Sequence, residues 1–140
     1  MNSLKSLYFD AAEPDSQRWK MLVEKHAKRA QTFEIHCWKE EPEWIDLALQ
    51  YGIPKETDWP YGTVISGPVT PEFLHMLLCL PKPMDTEIYN KMTPFFSIFF
   101  DNGFSSEHYG TELHHGATSF VKTTLRFEKN WRMMEKNAFP

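Results

Sequence analysis

Residues 94–125 read PFFSIFFDNGFSSEHYGTELHHGATSFVKTTL, and the first half of that stretch decides the fold. Phe95, Phe96, Ile98, Phe99 and Phe100 put bulky side chains on both faces of a period-2 element, which only a strand covered on both sides can bury. The expectation is a central strand with helices over each face. Asp101-Asn102-Gly103 then supplies residues that accept positive φ in a tight reversal, so the chain is expected to turn back as a hairpin. Read as one return strand, Glu107 to His115 places His108, Gly110, Glu112 and His114 on one face and Tyr109, Thr111, Leu113 and His115 on the other. Gly116 and Ala117 interrupt the run, and Ser119, Val121, Thr123 and Leu125 resume a β-branched period-2 pattern. Three consecutive antiparallel strands follow from this reading.

Upstream, Ser6 to Asp10 reads as a short first strand. Pro14, Asp15 and Ser16 start a helix in which Trp19, Leu22, Val23, His26, Ala27 and Ala30 recur at helical spacing, opposite Lys20, Glu24, Lys25, Lys28 and Arg29. Thr32 to Trp38 alternates Phe33, Ile35 and Cys37 against Thr32, Glu34, His36 and Trp38, as a strand does. A second helix is marked by Pro42 in its first turn, acidic residues where the helix dipole favours them, Gly52 at its stop and Pro54 beyond. Lys55 to Tyr61 reads as a loop and Thr63 to Ile65 as a short strand. Thr70-Pro71 caps a helix over Phe73 to Leu80, ended by Pro81 and Pro83. Asp85-Thr86-Glu87 starts a short helix through Met92 with Ile88, Tyr89 and Met92 inward. Phe127, Trp131 and Met134 mark a final amphipathic helix.

The order predicts an α+β chain with α/β-type layers: one domain over residues 1–140, with a mixed sheet of about five or six strands. Early β-α-β units would supply parallel strands, the C-terminal segment antiparallel ones. At 140 residues, with 41% apolar and 24% charged side chains, the chain suffices for a single globular core and lies far from the composition of disorder. The 15% aromatic share fills a bulky core or, in part, an aromatic contact surface.

A net charge of −4 with no basic block argues against nucleic acid as a ligand. No apolar run approaches the roughly 18 residues of a membrane span. The N-terminus MNSLKSLYFD lacks a secretory pattern, so a cytoplasmic location with Cys37 and Cys79 as reduced, buried thiols is the expectation.

Two constellations carry chemistry. The segment EHYGTELHHG holds imidazoles and carboxylates that suit general acid/base work through His108, Glu112 and His114, or a divalent transition ion such as Zn held by Glu112, His114 and His115. On one extended strand His108 and His114 would lie about 20 Å apart, too far to share an ion. Glu112 and His114 would then need a partner such as His36 or Asp101. No HExxH or other metal signature is present, so an absent cofactor is the first expectation. His75 and Cys79, four apart, would meet on their helix, inside an apolar run that reads as core.

The second constellation is acidic. Residues 34–58 carry seven carboxylates against Lys39 and Lys55, whereas Lys122 to Lys136 carry five basic against two acidic side chains. Glu40, Glu41, Glu43 and Asp46 gather at a helix start, with Glu56, Asp58 and Trp59 in the next loop. Aromatic anchors in a negative field are the ingredients of a charge-steered protein interface. The function expected first is a soluble acidic protein-binding module for another protein with a basic surface, with an inhibitor or immunity-type protein as its most specific form. A small metal-dependent or acid/base enzyme using residues 107–115 is the alternative.

Overall fold

The computed structural model describes residues 14–84, 88–116 and 118–119. The expected strand at Ser6–Asp10, the expected helix about Phe127–Met134 and most of the third C-terminal strand lie outside them. The remainder is the α+β arrangement that the sequence implies: helices α1 (Pro14–Ala27), α2 (Pro42–Ala48) and α3 (Pro71–Cys79) with strands β1 (Thr32–Trp38), β2 (Ile53–Lys55), β3 (Gly62–Pro68), β4 (Ser97–Phe100), β5 (Phe104–Glu107), β6 (Glu112–His115) and β7 (Thr118–Ser119). The strands form one sheet in the order β2-β3-β1-β4-β5-β6-β7.

The expected mixed sheet is corrected: among the described residues every strand pairing is antiparallel. The directions that a β-α-β connection imposes are nevertheless present. β1 and β2, joined through α2, run the same way because each is antiparallel to β3, which lies between them. β3 and β4, joined through α3, likewise flank β1. Each crossover therefore skips one place in the sheet, and the inserted strand makes both of its contacts antiparallel. Periodicity sets strand direction across a helix but not adjacency.

Phe33, Ile35 and Cys37 of β1 point to the face on which α1, α2 and α3 contribute Trp19, Val23, Ala48, Phe73 and Leu77 to one buried cluster, completed by Ile98, Phe100 and Phe104. Phe33 lies flat on Phe73, with ring centroids 3.9 Å apart. Thr70 caps α3 as its sequence implies, its Oγ1 accepting a hydrogen bond from Phe73 N at 3.0 Å. Lys20, assigned to the outer face of α1, is buried.

β4 sits in the middle of the sheet, as expected, but the two-sided helical cover does not hold among the described residues. The described helices share the face of Phe33, Ile98 and Phe100. The other face carries Glu34, His36, Ser97, Phe99, Ser105, Glu107, Glu112 and His114, as their cross-strand pairings require. Phe99 is accordingly half-buried, and Phe95 finds full burial in the segment before β4 instead. Residues 88–92 are not helical, and Ile88, expected inward, is 84% exposed. Among the described residues no helix is long and apolar enough to cross a membrane.

The two faces should respond unequally to truncation. Phe33→Ala should cost about 3–5 kcal/mol in urea unfolding, the range for a buried ring, and Phe99→Ala markedly less. Equal losses would contradict a core confined to the helical face.

Candidate functional site

The largest difference from the sequence reading lies in residues 107–115, which form a hairpin rather than one strand. His108, Tyr109 and Gly110 all have positive φ, at 52°, 61° and 87°. This left-handed conformation is unfavourable for the two residues that carry a Cβ. The reversal is held from several sides. Tyr109 N donates to Phe96 O at 2.9 Å, and Tyr109 O accepts from Met92 N at 2.8 Å. A Cβ at Gly110 would stand 2.7 Å from Trp19 Nε1 and 2.8 Å from Met92 Cβ. Trp19 itself donates to Ser106 Oγ at 2.9 Å, tying α1 to β5.

Folding the segment back brings together what an extended strand would separate. Glu107 faces Glu112 across the β5–β6 ladder, and Ser105 faces His114. His108 Nδ1 lies 3.1 Å from Glu112 Oε2, while His114 Nε2 lies 3.7 Å from both Glu107 Oε2 and Glu112 Oε1. Ser105 Oγ donates to Glu107 Oε2 at 2.9 Å. His108, Glu112 and His114 thus meet, and Glu107, which belongs to the same His/Glu-rich segment but to which the sequence reading assigns no catalytic or metal role, joins them. Alternation alone gave no cue to Glu107, because the reversal that places it there begins at the next residue.

His115, expected as a metal ligand, is not in this group. It follows His114 on the same strand and therefore faces the helical side, its ring 4.6 Å from that of His26. His36 bonds Glu34 at 2.7 Å instead, and Asp101 accepts from Gln31 N at the far end of the sheet. Among the described residues no group of three or more His, Cys, Asp and Glu side chains is arranged to hold a metal ion. Of the set Glu112, His114 and His115, the fold therefore brings the first two onto one face and puts His115 on the other.

The buried charges displace one another's proton affinities. Burial pushes the Glu107 carboxyl above the usual carboxylate range, with His114 and the Ser105 hydroxyl offsetting only part of that. Burial also works against ionised Glu112, but His108 and His114 outweigh it and hold this carboxyl below the usual range. For His108, burial opposes the charged ring and the Glu112 carboxylate prevails, so its affinity rises. Adjacent carboxyls driven apart in this way can hold a proton on one and a charge on the other.

The acidic set lies at the same end of the sheet. Lys39 N donates to Tyr61 O at 3.1 Å, bringing the β1–α2 junction against the β2–β3 loop. Glu40, Glu43, Asp46, Glu56 and Asp58 are exposed. Glu41 is half-buried and accepts a hydrogen bond from Tyr109 Oη at 3.1 Å, with burial raising its carboxyl's proton affinity. Trp59 folds back over Gly62, where a Cβ would sit 2.0 Å from its ring, and makes an edge contact with Trp38 at 4.8 Å. Phe96 continues the aromatic chain from Trp38 to His108.

Both cysteines are free, Cys37 buried and Cys79 exposed. Cys79 does meet His75, Sγ to Nε2 at 3.4 Å, on the surface rather than in the core. Burial pushes the Cys37 thiol up to about 12. Comparison with protein-family models, curated proteins and solved structures yields no match.

Two measurements test the hairpin. Gly110→Ala should destabilise the fold by at least about 1 kcal/mol, since alanine disfavours the left-handed region and meets Trp19. Because folding raises the proton affinity of His108, the stability it contributes is complete below about pH 6.5 and is lost as pH rises through its folded value. Chemical denaturation at pH 6 and 8.5 should therefore show a drop in the natural sequence that is smaller in His108→Gln; the same drop in both would remove the His108–Glu112 pairing from the account.

Proposed function

We propose that this chain is a protein-binding module whose acidic, aromatic sheet end engages a basic partner, in the manner of an inhibitor or immunity protein that neutralises a basic enzyme. The observation that carries the reading is the convergence of two separate acidic stretches. The β1–α2 junction, with Glu40 and Glu43, is hydrogen-bonded to the β2–β3 loop, with Glu56 and Asp58, around the Trp38–Trp59 contact. Asp46 extends the charge along α2. Exposed carboxylates of one sign raise the rate at which an oppositely charged surface is met, and half-buried rings supply rigid apolar contact once it has docked. Glu41 has a different part in this reading: its bond to Tyr109 fixes the surface rather than touching the partner.

A second reading, a general acid/base site in residues 107–115, is favoured by one observation of its own. Glu107 and Glu112 sit opposite one another with proton affinities displaced in opposite directions, the condition for one group to donate and the other to accept.

The first reading is tested by capture from native extract with the natural sequence and with Glu40, Glu43, Asp46 and Asp58 each changed to Lys. The natural sequence should retain a basic protein whose association rate falls steeply as salt rises from about 0.01 to 0.15 M. The four-fold reversal should retain none. Undiminished capture by the reversed protein, or a captured partner indifferent to salt, would dispose of the reading.

A further inference from the structure

On the sheet face opposite the described helices, a cavity of about 210 Å³ is lined by Phe99, Ser105, Glu107 and His114, with exposed Gly103 and Gly116 at its rim. Its three polar groups are each 5–6% exposed, so they belong to a built site rather than to a surface cluster. Among the described residues, their pairing leaves both buried carboxylates incompletely matched: Glu112 Oε1 has no hydrogen-bond partner, and Glu107, the carboxylate that lines the cavity, has no imidazole nitrogen nearer than 3.7 Å. Glu112 has the His108 imidazole at 3.1 Å. Glu107 has a neutral hydroxyl, Ser105, as its close partner, and its nearest imidazole nitrogen, on His114, is 3.7 Å away and shared with Glu112. Two carboxylates directly opposite on neighbouring strands repel one another, and a buried carboxylate is costly unless a cation or donors satisfy it.

We propose that this cavity binds a small organic cation, an ammonium or amidinium group on an apolar body, with Glu107 as its counter-ion. The volume suits a ring of benzene size with one or two further atoms. The half-exposed ring of Phe99 offers the cation an aromatic face, and Ser105 and His114 flank the carboxylate with hydrogen-bonding groups. An anion would meet the Glu107 carboxylate at the cavity's polar end. A metal ion would need three ligands that the described residues do not bring together.

Proton linkage follows from the same geometry. The groups facing Glu107 are His114 and Glu112 from β6 and His108 from the reversal. Burial favours the protonated carboxyl, so a bound cation that draws it into the ionised form releases that proton. The site does not rest on the partner-binding reading, and reversing Glu40, Glu43, Asp46 and Asp58 should leave it intact.

The test uses the full chain and two probes of equal shape, benzylammonium and benzyl alcohol, titrated calorimetrically at pH 5 and 7 in buffers of different ionisation enthalpy. Benzylammonium should bind at least about tenfold tighter than the alcohol. Its affinity should rise with pH, and proton release should show as a buffer-dependent heat. Glu107→Gln, checked by its unfolding curve, should erase the preference and the proton release together. Equal binding of the two probes, binding of neither, or a preference that survives in folded Glu107→Gln would overturn the proposal. Should that variant fail to fold, the two-probe comparison and the buffer dependence on the natural sequence decide the matter alone.

Discussion

The left-handed reversal at His108, Tyr109 and Gly110 is the constraint on which the polar face depends. Without it, Glu107 and Glu112 would lie on one extended segment, with no ladder between β5 and β6. The conformation costs free energy at two residues that carry side chains, so the surroundings must hold it. They do so through the backbone of Met92, Thr93 and Phe96, which exchanges hydrogen bonds with Tyr109, and through Trp19, which closes over Gly110. A helix near the start of the chain and a segment before the central strand thus fix the geometry of a charge cluster to which neither contributes a charge.

That dependence explains what could be read in the sequence and what could not. Strand β1 was legible to the residue, because Phe33, Ile35 and Cys37 alternate strictly and one face is buried. The cap at Thr70 and the turn at Asp101-Asn102-Gly103 were legible because each rests on the chemistry of adjacent residues. The second reversal was not. Gly110 is the single permissive residue there, and left-handed His108 and Tyr109 are imposed by contacts from residues 19 and 92–96. Likewise no local signal said that a strand would slip between β1 and β2, since direction comes from the connecting helix and adjacency from the whole sheet.

The aromatic surplus divides in a way that composition could not foresee. Phe33, Phe73, Phe95, Phe100 and Phe104 fill the helical side, while Trp38, Trp59, Phe96 and Phe99 lie on or around the other and are half-buried. Gly62 is what lets Trp59 lie flat against the sheet end, since any side chain there would occupy the space of its ring. The loop tryptophan flanked by Asp58 and Pro60 is thereby a packed wall, and its carboxylate neighbours remain in water.

Tyr109 joins the two constellations that the sequence keeps 68 positions apart, donating to Glu41 from the middle of the reversal. The carboxylates on either side of that bond do different physical work because they face different media. Glu40, Glu43, Asp46, Glu56 and Asp58 are exposed, so their field reaches only about 8 Å at physiological ionic strength and bears on encounter rather than on fold. Glu107 and Glu112 are withdrawn from solvent, where screening is weak and each charge must be answered by a neighbour at fixed distance. His108 answers Glu112 closely and His114 answers both from farther away, so the pair is left unequal. An inequality of that kind survives in a folded protein only where the backbone cannot relax to remove it, and the pinned reversal denies the backbone that freedom.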